Sequence, residues 1–136
     1  MAQMLIRGAR DYQDRLAHAD LSSEELRAQI RDTLNLYLED NGETVAPQLA
    51  SFAAFLSFLE KHKDRAAPSI GVNHHGLVVA VWREPGFRLT YEFELNGDIH
   101  SFVTEFSGDV PRARDLGRSS PQAVHPLPPK QRAAAY

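Results

Sequence analysis

In Phe87-Arg-Leu-Thr-Tyr-Glu-Phe-Glu-Leu95, apolar and polar residues alternate without a break. Successive side chains of a β-strand point to opposite faces, so this period of two residues predicts a strand with one buried face and one wet face. Turn-forming sequences bound the stretch on both sides, Pro85-Gly86 before it and Asn96-Gly97-Asp98 after it. The predicted buried face carries Phe87, Leu89, Tyr91, Phe93 and Leu95, and the wet face carries Arg88, Thr90, Glu92 and Glu94.

Three neighbouring stretches also have strand character. Residues 77–84 are rich in valine and include Trp82, residues 99–106 follow the Asn-Gly turn, and residues 69–73 are a short candidate. Consecutive strands joined by tight turns predict an antiparallel β-meander of three long strands and one short one. Since one face of the third strand must be wet, helices are expected to cover the other face. Trp82 then either packs beneath these helices or is an exposed anchor for a partner.

The first predicted helix begins at a capping box. Ser22 and Glu25 have the required spacing, because each side chain can satisfy a free backbone N–H of the first turn. Apolar residues follow at intervals of three and four, which predicts an amphipathic helix over residues 23–40. Asn41-Gly42 is expected to end it.

A second helix is expected from Pro47, a residue suited to a first helical turn, to about residue 63. Its apolar stripe leaves out Phe58, which lies about 120° from the centre of the stripe at 100° per residue. Either this helix is buried on two sides or Phe58 faces a partner.

The two ends of the chain lack such patterns. Residues 1–20 are expected to be poorly ordered or a marginal helix, and the proline-rich residues 107–136 a disordered basic tail, because neither can bury enough apolar surface to offset the entropy of ordering. The predicted fold is therefore α+β, with two N-terminal helices packed on one face of a three- to four-stranded antiparallel β-meander over residues 21–106. Residues 109–136 have a net charge of +3, which leaves −6 on the rest of a chain whose total is −3.

No catalytic residue, cofactor or metal site is predicted. The chain has no cysteine, which excludes thiolate chemistry and cysteine-based metal sites. No serine lies in a Gly-x-Ser-x-Gly elbow, and the dispersed glycines form no phosphate-binding loop. His74 and His75 lie in a predicted turn and His100 on the last long strand, positions that need not be close. The carboxylate pair Glu92 and Glu94 is typical of a solvated strand face.

A cytoplasmic location without a membrane partner is expected. Residues 1–8 are too short and too polar for a secretory signal. No run approaches the about 18 apolar residues of a membrane helix.

Residues 42–106 carry an outline of short motifs that surround the alternating strand. It comprises an apolar helix, Pro68-Ser69-Ile70 at a strand opening, the turn glycine Gly76, a strand that contains Trp82, the stretch 89–93 and the turn Asn96-Gly97-Asp98. This outline resembles a loosely defined group of small uncharacterised bacterial accessory proteins, some of the antitoxin kind. The resemblance implies a binding role and brings no catalytic residue with it.

Three hypotheses about function follow. The first is a non-enzymatic protein-binding or regulatory accessory protein, antitoxin-like, that acts by covering a protein partner; assembly into a homo-oligomer also stays open. The second is a nucleic-acid-associated regulator that uses only the basic tail, since the acidic body repels phosphates. The third is a small metal-dependent enzyme that uses His74, His75 and His100. For the first hypothesis, the predicted partner contacts are Phe58, Arg88, Glu92, Glu94, Arg112, Arg114, Arg118, Lys130 and Arg132.

The first hypothesis can be tested by removing residues 109–136 of the predicted tail. If residues 109–136 are a disordered arm, their removal should leave the melting temperature nearly unchanged and weaken the capture of the partner.

Overall fold

Three helices precede five strands in the part of the chain that the structure describes. The structure, a computed structural model, describes residues 11–38, 46–106 and 108–124. The helices are α1 (residues 11–18), α2 (Glu24–Leu38) and α3 (Leu49–Lys61). The strands are β1 (Ser69–Val72), β2 (Val78–Glu84), β3 (Phe87–Phe93), β4 (Ile99–Glu105) and β5 (Arg112–Ser119). In these ranges no helix has the length and apolar character that a membrane crossing requires.

The five strands form one antiparallel sheet in chain order, β1-β2-β3-β4-β5. The predicted α+β class, with helices on one side of an antiparallel meander, is confirmed. The sheet has five strands, whereas three or four were expected. The added strand, β5, comes from the segment assigned to the tail. That assignment is wrong for residues 112–119, which pair with β4 along its whole length. Residues 125–136 lie outside the described ranges.

The alternation in β3 corresponds to two faces of the sheet, as predicted. Leu89, Tyr91 and Phe93 are buried on the helix side, and Phe87 is partly buried there. Leu95 departs from the pattern, because β3 ends at Phe93 and Leu95 lies in the following turn with 54% of its surface exposed. The side of the sheet opposite the helices is called the open face below.

Helix α3 is buried on two sides. Towards the sheet, Phe58 packs edge-to-face on Trp82, Tyr91 and Phe93, with ring centroids 5.6 to 6.5 Å apart. On another side, Phe52 contacts Tyr12 of α1, with ring centroids 5.5 Å apart. Phe58 is only 2% exposed, so its assignment as a partner contact is wrong.

Trp82 also belongs to the core and is not an exposed anchor. Its indole Nε1 donates a hydrogen bond to the Ala66 carbonyl oxygen at 2.8 Å, which satisfies its one polar atom.

The N-terminal helices differ from the prediction in detail. Ser23, not Ser22, caps α2, because its Oγ accepts a hydrogen bond from the Leu26 N–H at 3.1 Å. With the cap one residue later, Glu25 is no longer at the capping-box position. Of the two states expected for the first 20 residues, residues 11–18 adopt the helical one, and Leu16 is buried in the core. The predicted stop at Asn41-Gly42 lies outside the described residues.

Gly76 joins the β1–β2 turn to the start of α3. Its φ of +80° favours glycine, and its carbonyl oxygen accepts a hydrogen bond from the Gln48 N–H at 2.7 Å. A Cβ added there would lie 3.1 Å from the Ala46 carbonyl oxygen, whereas a Cβ on Gly97, at φ +93°, would enter open space. Gly76→Ala should therefore lower the free energy of unfolding by about 1 kcal/mol more than Gly97→Ala does, measured by urea denaturation. Equal losses would show that the turn yields to the added methyl group.

Candidate functional site

Five ionisable side chains converge on the open face where β3, β4 and β5 lie side by side. The strand register places His100 of β4 directly between Glu92 of β3 and Arg118 of β5. The group, called the open-face cluster below, consists of Glu92, Glu94, His100, Asp115 and Arg118. It is the most concentrated set of charges in the described part of the sheet.

His100 is at the centre of the open-face cluster and only 8% exposed. Its Nε2 lies 2.8 Å from Asp115 Oδ1, and its Nδ1 lies 3.8 Å from Glu92 Oε1. The ring stacks on Phe102, with centroids 4.2 Å apart. A carboxylate only accepts hydrogen bonds, so the Nε2 atom carries the proton that Asp115 accepts.

A bulge in β5 brings Asp115 to this position. The register shifts between Ser101 and Phe102 of β4, and Gly117 at φ +86° supplies the backbone conformation in β5. Asp115 Oδ1 accepts a hydrogen bond from the Gly117 N–H at 2.7 Å. That bond, followed by the contact with His100, holds the pKa of Asp115 below its usual value.

The two glutamates are held by partners on their outer sides. Asn73 Nδ2, from the β1–β2 turn, donates a hydrogen bond to Glu92 Oε2 at 2.8 Å. Arg118 Nε donates one to Glu94 Oε1, and this ion pair raises the pKa of Arg118. The open-face cluster therefore offers carboxylate oxygens and one imidazole nitrogen at fixed positions, a set suited to holding a cation.

A second polar surface lies at the β5 edge on the side of the helices. Helix α2 packs on β1 and α3 packs on β2 and β3, and among the described residues neither reaches β5. Arg112 and Arg114 of β5 are exposed, and Arg114 Nη2 lies 3.7 Å from Glu105 Oε1 of β4. These two arginines and the outer edge of β5 are called the basic edge below.

The predicted contact residues are thus divided between several places. Glu92, Glu94 and Arg118 meet in the open-face cluster, and Arg112 and Arg114 lie on the basic edge. Arg88 is on the open face with its guanidinium 5.6 Å from the centroid of the Phe106 ring. Lys130 and Arg132 lie outside the described residues.

The histidines do not form the trio of the metal-enzyme hypothesis. His74 and His75 stack on each other in the exposed β1–β2 turn, with ring centroids 3.9 Å apart. Within the described residues, the side chains close enough to share a metal ion with His100 are Glu92 and Glu94. The sequence reasoning missed the pairing of His100 with Glu92 and missed Asp115. The pairing does not follow from the turn sequence alone, because a two-residue Asn96-Gly97 turn would place residue 101 opposite residue 92, and the loop that forms is one residue longer.

Comparison with protein-family models, with curated proteins and with solved structures finds no match for this chain. The resemblance to antitoxin-like accessory proteins therefore stays a prediction.

Proposed function

We propose that this protein is a non-enzymatic accessory protein, antitoxin-like in its action, that covers a protein partner in the cytoplasm. The observation that carries the proposal is the basic edge. Strand β5 pairs with β4 on one side and with no other described strand, and most of its residues are exposed. An edge strand of eight residues can accept a further strand from another chain, since its outward backbone groups are available for hydrogen bonds.

The positive charge of the basic edge favours a partner with a negatively charged surface. Arg112 and Arg114 lie on one face of β5 and are exposed, and Arg114 Nη2 forms an exposed ion pair with Glu105 at 3.7 Å. Such exposed pairs are weak, so both guanidinium groups can still meet an acidic partner. Antiparallel pairing of β5 with a second copy would bring arginines near arginines, which disfavours self-association. We therefore infer that the partner presents an extended acidic segment to this edge.

The nucleic-acid alternative draws less support from the same residues. Of the three arginines in β5, Arg118 is paired with Glu94 and Arg114 with Glu105, so fewer cations are available for phosphates.

The test uses two matched charge removals in the full-length chain. The tagged protein is used to capture its partner from nuclease-treated cell extract, and the purified partner is then titrated against each variant. Arg112→Gln combined with Arg114→Gln should weaken binding by about tenfold or more, because opposite charges across an interface are lost. Arg31→Gln, which removes an exposed arginine from α2, should leave the affinity unchanged.

Thermal melts of all variants show that the fold is retained. Equal binding by wild type and the β5 double variant would overturn the assignment of the basic edge. Loss of capture on nuclease treatment would favour the nucleic-acid alternative, and self-association in sedimentation would favour a homo-oligomer.

A further inference from the structure

We propose that the open-face cluster binds one divalent transition-metal ion, with zinc as the representative ion. The ligands are His100 Nδ1, Glu92 Oε1 and a carboxylate oxygen of Glu94. These three side chains bring their ligand atoms within 4.8 Å of one another. The proposal is independent of the protein partner, which is expected at the basic edge.

The spacing between His100 and Glu92 suits an intervening ion. Nδ1 and Oε1 are 3.8 Å apart, which is longer than a hydrogen bond spans. Zinc lies about 2.0–2.2 Å from nitrogen and oxygen ligands, so two such bonds at an open angle reach across about this distance. The two atoms face each other at the separation expected for ligands of a shared ion.

The surrounding residues hold both ligands in the orientation that binding needs. Asp115 accepts a hydrogen bond from Nε2–H of His100, which leaves the lone pair of Nδ1 directed at Glu92. Asn73 holds Oε2 of Glu92, which leaves Oε1 directed at His100. A histidine ligand whose second nitrogen donates to a carboxylate is the usual arrangement in metal sites, because that partner fixes the ring and raises its basicity.

The charge of the cluster matches a dication. Glu92, Glu94 and Asp115 carry three negative charges against the single positive charge of Arg118. With a neutral imidazole the sum is −2. Arg118 Nε bonds one oxygen of Glu94 and therefore competes with the ion for the charge of that carboxylate.

A proton on Nδ1 would be the competing occupant of the same gap. A doubly protonated His100 would then form ion pairs with Glu92 and Asp115 and would leave no place for a metal. Zinc titration separates these two states.

The experiment is a calorimetric titration of the chelator-treated full-length protein with zinc chloride. We expect one ion per chain, with affinity reduced at least 100-fold in His100→Gln and in Glu92→Gln, and no heat of binding with magnesium, which requires more oxygen ligands. The control is His74→Gln combined with His75→Gln, which removes the exposed pair and should leave binding intact. Melting curves without zinc verify that every variant is folded.

Two further variants test the roles of the neighbours. Asp115→Asn should lower the zinc affinity by about 10- to 100-fold, as expected for a positioning residue behind a histidine ligand. Arg118→Gln should raise the affinity severalfold, because it frees Glu94. Absence of stoichiometric binding, retention of binding in His100→Gln, or its loss in the His74/His75 control would each overturn the proposal.

Discussion

Replacing Phe58 with alanine should lower the free energy of unfolding by about 3–5 kcal/mol, the range for deletion of a buried aromatic ring. Phe58 lies between α3 and the sheet, where it makes edge-to-face contacts with Trp82, Tyr91 and Phe93. Its removal forfeits these contacts and leaves a cavity that three rigid rings cannot easily fill. Since small domains are stable by only about 5–15 kcal/mol, the loss would be a large part of the total.

Urea denaturation of Phe58→Ala and of Leu36→Ala provides the measurement and its control. Leu36 lies on α2 and is 60% exposed, so its truncation should change the stability by no more than about 0.5 kcal/mol. If Phe58 contacted a partner instead, its truncation would weaken binding and leave the unfolding of the isolated chain almost unchanged. A loss below about 1 kcal/mol would therefore contradict the packing described here.

The central strands could be predicted from the sequence because one of their faces is buried and the other is exposed, so apolar and polar residues alternate along them. Strand β3 is buried on the helix side and exposed on the open face, so its apolar and polar residues alternate. Strand β5 has no such signal. It lies beyond the reach of α2 and α3, and apart from Leu116 and Ser119 its residues are exposed. A polar edge strand that follows proline and glycine is therefore easily taken for a tail.

The open-face cluster also could not be predicted in full from the sequence. A two-residue Asn96-Gly97 turn would pair Glu92 with Ser101, but the observed register pairs Glu92 with His100. The register differs because the loop has three residues between Glu94 and Asp98, so this pair can be found only when the loop length is known. Asp115 reaches His100 only because a bulge shifts the register of β5, and a bulge cannot be located from an alternation that β5 lacks.

For Phe58, helical periodicity left two alternatives open. The contact between Tyr12 of α1 and Phe52 shows why the buried-on-two-sides alternative is correct.

The expected result of the truncation test changes because part of the removed segment is a strand of the sheet. Residues 109–136 include β5, whose Leu116 packs against the core together with Val124. Removal of the whole segment would expose β4 as a new edge, so the melting temperature can no longer be expected to stay unchanged. Point substitutions on β5 therefore test binding better than truncation does.

A second large effect is expected for Ser51→Ala, although it removes a single oxygen atom. Ser51 lies in α3 with no exposed surface. Its Oγ donates a hydrogen bond to the Phe93 carbonyl oxygen at 2.6 Å and accepts one from the Val78 N–H at 2.8 Å. The hydroxyl thus joins α3 to the ends of two strands. Its loss leaves a buried donor and a buried acceptor without this partner, which costs about 1–3 kcal/mol for each group.

We therefore expect Ser51→Ala to lower the free energy of unfolding by about 2–4 kcal/mol in urea denaturation. Ser57→Ala is the matched control, since Ser57 lies on the same helix and is partly exposed, and its change should stay within about 0.5 kcal/mol. Hydrogen exchange at the Val78 amide gives a second, local measurement, which should be faster in Ser51→Ala alone. Equal stability of the two variants would mean that the strand ends find other partners, and that the hydroxyl of Ser51 is not what holds α3 on the sheet.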